Sequence, residues 1–196
     1  MQKGRLEAFS DGVIAILITI MVLELSAPHG TELSALRPLL PTLLAYVLSF
    51  AMVGIYWTNH HHLLHAADRV NGRILLANLH LLFWLSLLPF GTAWMGDNGF
   101  APVPTATYGV LLLMAAIAYT LLQMAIVAHH GPDSRLARAL GSDTKGKISM
   151  ALYTVSIPLA FVDRRIALAL FVTVSLIWFI PDRRIESRAG DAGTSR

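Results

Sequence analysis

Apolar residues fill six stretches of this chain, at roughly 6–25, 39–57, 74–95, 106–128, 148–162 and 166–181, and charged residues gather between them. A helix rises about 1.5 Å per residue, so about 20 apolar residues cross a hydrocarbon core of about 30 Å. The first four stretches meet that length. The last two are shorter and are parted only by Asp163, Arg164 and Arg165. They predict a tight helical hairpin or one re-entrant element, and two spans is the reading adopted here. The pattern thus predicts an all-α, polytopic membrane protein with six transmembrane helices. Residues 1–181 form one membrane domain, and the polar tail 182–196 is expected to be disordered.

Loop charge sets the orientation. With the amino terminus inside, the inner segments hold twelve Lys and Arg: Lys3, Arg5, Arg69, Arg73, Arg135, Arg138, Lys145, Lys147, Arg183, Arg184, Arg188 and Arg196. The outer loops hold three, Arg37, Arg164 and Arg165. Positive residues stay on the cytoplasmic side, so both termini are expected there. Asp11 interrupts the first apolar run and no small-residue cleavage site follows cleanly, so this run reads as a retained span rather than a signal peptide.

Composition agrees with a lipid setting. Of 196 residues, 55% are hydrophobic and only 14% charged, against about 25% charged in soluble domains. Mean hydropathy is +0.60. With no cysteine, disulfides and Cys-based zinc or redox sites are excluded. A pI near 9.5 would suit nucleic acid, but the basic residues lie in short loops between spans, so no nucleic-acid partner is expected. There is no phosphate-binding glycine loop, Ser-His-Asp order or pair of catalytic carboxylates. The chain does not read as an enzyme, and no cofactor is expected.

The first helix, "RLEAFSDGVIAILITIMVLEL", carries the chemistry. At about 100° per residue, with Arg5 at the origin, Phe9, Gly12, Ile16, Thr19, Ile20 and Leu23 fall on one stripe. Ser10 and Asp11 lie at about 140° and about 240°, well off it. An ionised group within a span is costly and commonly functional. If the stripe faced a path for ions, the polar pair would have to be held by neighbouring helices. If the pair lined the path, the stripe would face lipid or core. Packing or lipid contact is the commoner fate of such a stripe, and Thr19 can bond its own backbone one turn back.

The cluster His60 to His65 is the next chemical feature. His61 and His65 stand four apart, the spacing at which two imidazoles on a helix share zinc, though locally only Asp68 could join them. Solvated histidines at the interface are the plainer alternative. In the third span, Asn78 and His80 predict hydrogen bonds between helices. Glu24 marks the outer end of the first helix, either solvated or drawing cations to a mouth.

The opening motif resembles that of the transmembrane protein 175 family of potassium channels, R-x-x-x-F-S-D, through Arg5, Phe9, Ser10 and Asp11, followed by Ala15-Ile16 and Thr19. "YWTNHHHLL" resembles the family's W-x-x-H-H pattern through Trp57, His60 and His61. "LSLLPFGTAW" resembles L-P-F-x-T through Leu88, Pro89, Phe90 and Thr92. The resemblance implies a potassium-selective channel, with potassium as the permeant ion and no bound metal. It implies a pore lined by the first helix, with Ile16 as the constriction, Thr19 as a polar layer one turn outward, and Ile20 and Leu23 continuing the wall. It implies a homotetramer, since one lining helix cannot enclose a path alone. It also implies a network in which His60 or His61, with Trp57, holds Ser10 and Asp11, with Arg5 a further candidate partner. The T-V-G-Y-G carbonyl filter of other potassium channels is absent, Tyr108-Gly109 being its only echo. A proton- or cation-coupled transporter using Asp11 and the His60–His65 cluster is the alternative reading. Such transporters usually show repeats or broken helices near the midplane, and this sequence offers little beyond Pro89 and Pro158.

Overall fold

The computed structural model describes residues 3–67, 69–131, 134, 137 and 143–179. The expected tail 182–196 and most of the basic segment 135–147 lie outside the described residues. The helices are α1 (Lys3–Leu23), α2 (Leu40–His65), α3 (Gly72–Ser86), α4 (Leu88–Asp97), α5 (Pro102–His130), α6 (Thr144–Val162) and α7 (Arg164–Phe179), with a 3₁₀ segment at Leu33–Leu39 before α2. Strands are absent among the described residues.

Local chemistry sets the helix ends. Proline, which lacks the N–H that a first turn leaves unused, stands in the first turn of α2, α4 and α5. The Asn71 side chain accepts the Ile74 N–H to cap α3. The Asp163 carboxylate accepts the Arg165 N–H at 2.8 Å, so the chain turns from α6 into α7 through one extended residue. Gly131 ends α5 at φ 91°, a conformation that costs glycine little.

Two boundaries differ from the sequence reading. The second helix does not stop near residue 57 but continues to His65, so the histidine cluster is helical. The third apolar stretch is two helices, broken at Leu87. Pro89 has no N–H and its ring would clash with the carbonyl four residues back in an unbroken helix. Leu87 keeps right-handed helical angles, so α3 and α4 together still form one long apolar element, Gly72–Asp97.

Four elements are long and apolar enough to cross a membrane: Lys3–Leu23, Leu33–His65, Gly72–Asp97 and Pro102–His130. At 19 and 16 residues, α6 and α7 are about 28 and 24 Å long. They pack on each other as a hairpin. In the packing, α1 lies against α2, α3 and α4, while α5 joins α3 and α4 to the α6–α7 hairpin. Small residues permit the close approaches that hold helices together in lipid. A Cβ on Gly96 would come within 2.8 Å of the α2 backbone at Thr42, and one on Gly109 within 3.2 Å of Phe171 and Ser156. Tyr108-Gly109 is therefore a packing element, not part of a filter. Tyr108 is fully buried, its hydroxyl 2.8 Å from Ser49 Oγ.

Candidate functional site

The α1 helix has two unlike faces. Leu6, Ser10, Ile14, Leu17 and Met21 recur every three or four residues and are buried. They pack into a core shared with α2, α3 and α4. On the other side Arg5, Phe9, Gly12, Ile16, Thr19, Ile20 and Leu23 are exposed. The difference is large: Ile14 is 1% exposed, Ile16 57% and Leu23 78%. The stripe picked out by helical angle is thus the face that α2, α3 and α4 leave uncovered. Its one hydroxyl, on Thr19, donates to the Ile16 carbonyl at 2.8 Å.

The polar pair is held from two directions. Ser10 is buried and donates to the Leu6 carbonyl at 2.9 Å. Its oxygen accepts from Asn78 Nδ2 of α3 at 3.0 Å. With the Asn78 amide turned that way, its Oδ1 faces His60 Nε2 of α2 at 2.6 Å. That nitrogen therefore carries the proton and donates. The result is a directed chain from His60 through Asn78 and Ser10 to Leu6, joining α2, α3 and α1. Asp11 sits nearer the surface, where its carboxylate accepts from Trp57 Nε1 at 3.0 Å.

This arrangement corrects the expected network in three places. His60 reaches Ser10 through Asn78 and does not bond Asp11. His61 lies outside the chain of bonds, stacking instead on His65 with ring centres 6.2 Å apart and packing near Trp57. Arg5 is exposed, and among the described residues the ion pair at this end of α1 is Lys3–Glu7, at 3.7 Å. Asn78 was legible as an interhelical residue because an unpaired amide inside a span is expensive, but the sequence alone did not name its partners. Among the described residues the bond His80 makes lies within its own helix, where its Nε2 accepts from Trp84 Nε1 at 2.9 Å. No group of three His, Cys, Asp or Glu side chains able to hold a metal occurs among the described residues.

A second polar cluster surrounds the C-terminal half of α1. Thr92 Oγ1, one turn after the α3–α4 break, lies 2.7 Å from both the Leu88 carbonyl and Ser49 Oγ, and Ser49 meets Tyr108. Thr92 also approaches Met21 Sδ of α1 at 3.8 Å. The L-P-F-x-T stretch thus places Thr92 as a buried tie among α1, α2 and α5. Ser49 carried no sequence signal.

Residues 5–89 match the model of a family described as endosomal/lysosomal potassium channel TMEM175. A protein of Chryseobacterium sp. (strain P1-3) named as a potassium channel is 55% identical over 95% of this chain and 97% of its own length. The chain belongs to the TMEM175 family. The fold agrees: a crystal structure titled as a lysosomal potassium-selective channel TMEM175 homolog from Chamaesiphon minutus superposes with a TM-score of 0.79. It is 29% identical and covers 91% of this chain and 96% of that one. The human protein named endosomal/lysosomal proton channel TMEM175 is 38% identical over 53% of this chain, a match spanning 23% of its length.

Proposed function

We propose that this chain is a potassium-selective channel of the cell membrane, assembled as a homotetramer with the uncovered stripe of α1 facing a central path. The observation that carries the reading is the division of α1 into a buried face and an opposite apolar face that the subunit's other helices leave open. Four copies closing about an axis would turn their open faces toward one shared central path, which a single helix cannot enclose. The relatives named potassium channel support the choice of ion. In this reading the six apolar stretches are six spans with both termini cytoplasmic.

A ring of four Ile16 side chains offers no ligands to an ion. When narrow it sheds water and closes the path without a plug. When wider, an ion must give up part of its hydration to pass, and potassium holds its water less tightly than sodium. Thr19 supplies the one hydroxyl on this wall, and its bond to the Ile16 carbonyl ties it to the helix backbone. Selectivity built this way is weaker than that of a carbonyl filter.

The test is the purified chain in planar bilayers with potassium on one side and sodium on the other. The proposal expects unitary currents that reverse on the potassium side of zero. Saturable flux without unitary currents would make the protein a transporter instead.

A further inference from the structure

On the cytoplasmic side of this reading, α2, α5, α6 and the end of α7 surround a cavity that no residue of α1 lines. The cavity measures about 40 Å³ and is partly open at its mouth. Tyr56, Tyr119, Tyr153 and Trp178 give it aromatic walls, and Asp143 lines it with a half-buried carboxylate.

The hydrogen-bond donors of these walls are spent on the protein. Tyr119 donates to the Asn59 carbonyl at 3.1 Å, Tyr153 to Met52 Sδ at 3.5 Å, and Trp178 Nε1 to Ser149 at 2.9 Å. What the cavity offers is a carboxylate and π-systems. Asp143 is fixed in place: it has left-handed backbone angles, and its side chain accepts the Gly146 N–H at 3.2 Å to cap α6. A Cβ on Gly146 would collide with that carboxylate. Burial pushes the Asp143 carboxyl above the usual carboxylate range, while the Gly146 N–H and the Lys147 charge pull it back. A half-buried carboxylate beside aromatic faces is a favourable place for a cation. The same wall already engages one, since Lys145 Nζ lies 5.8 Å from the Trp178 ring centre.

We propose that this cavity binds a small organic ammonium ion, its charge at Asp143 and its apolar body among the tyrosines and Trp178. Tyr56 and Asn59, which line the cavity, alternate along α2 with Trp57 and His60, which hold α1. Occupancy therefore bears on the helix that positions α1. Any effect on current rests on the channel reading above, whereas binding does not.

The test is calorimetric titration of the full chain in phosphatidylglycerol nanodiscs, which contain no ammonium headgroup. The probes are phenethylammonium and its uncharged counterpart 2-phenylethanol. Saturable binding of phenethylammonium is expected, with the alcohol roughly tenfold or more weaker, as a charge-assisted bond implies. Asp143→Asn should remove that preference, because asparagine caps helices as well as aspartate and tolerates left-handed angles, so the variant keeps its fold. Ala116→Leu, which fills the cavity, should abolish binding of both probes. Equal affinity for the two probes, ammonium binding unchanged in both variants, or no saturable binding would overturn the proposal. Displacement of the probe by added phosphatidylethanolamine at stoichiometric levels would also overturn it, making a lipid the occupant.

Discussion

Ile14 and Ile16 stand two residues apart on α1 with the same side chain, yet one is sealed in the subunit's core and the other lies open. The whole helix divides along that line. Its buried face is tied down by packing and by the Ser10–Asn78–His60 chain of bonds, while its open face, beyond Arg5 at its start, carries one self-bonded hydroxyl and otherwise apolar groups. The difference teaches how one helix can be both a structural member and a wall. Anchoring is delegated to one side, and among the described residues the other makes no hydrogen bond to a neighbouring helix. Each prediction below strikes one side and leaves the other intact.

The largest contrast is between Ile14→Asn and Ile16→Asn. The first puts a polar amide among Leu17, Met21 and their neighbours and loses packed methyl groups, a cost on the order of 2–4 kcal/mol. Thermal unfolding in detergent should show a marked loss of stability and of assembled protein. The second should change stability by less than about 1 kcal/mol, as substitutions away from packed or bonded groups do, while raising conductance and lowering discrimination between potassium and sodium. Equal destabilisation by both would mean that the open face is covered by protein.

Next comes Asn78→Leu, which leaves the His60 donor and buried Ser10 without their shared partner. Interhelical bonds in lipid contribute modestly, so a loss of about 1–2 kcal/mol is expected. Selectivity among surviving channels should be unchanged. Altered selectivity with normal stability would place this chain of bonds in the ion path.

Asp11→Ala should cost less, roughly 0.5–1.5 kcal/mol, because the bond to Trp57 lies at the subunit's surface and not in its core. Tetramer yield, read by size-exclusion chromatography, should fall slightly, and Trp57→Phe should reproduce the change. A larger loss in Asp11→Ala than in Trp57→Phe would give Asp11 a second partner.

The smallest effect on stability belongs to Thr19→Val, which keeps the volume nearly constant and removes only a hydroxyl bonded to its own helix. Stability should hold within about 0.5 kcal/mol, and selectivity should drop. Unaltered reversal potentials would exclude the hydroxyl from ion selection.

Much of this division was legible in the sequence because the helical period alone separates Ile16, Thr19, Ile20 and Leu23 from Ser10 and Ile14. The period cannot say which side meets the rest of the subunit. Only the packing of α2, α3 and α4 decides that. Hydrogen-bond routing was less legible: Asp11, His60 and Trp57 were visible as a set, but the insertion of Asn78 between His60 and Ser10 depends on where α3 lies. Helix ends were misplaced where apolar character and helical structure part company. The histidine run of α2 is polar yet helical, and Pro89 breaks an apolar run without ending it.

The most direct test of the open face as a conduction wall uses the absence of cysteine from this chain. Single cysteines placed at Ile16, Thr19 and Leu23, and at Ile14 and Leu17 for contrast, can be exposed to silver ion, which is close to potassium in size, while current is recorded. Irreversible block at Ile16, Thr19 and Leu23, with Ile14 and Leu17 unaffected, is the result predicted. Block at Ile14 or Leu17 with currents untouched at the other three positions would place the path on the opposite side of α1 and contradict the account.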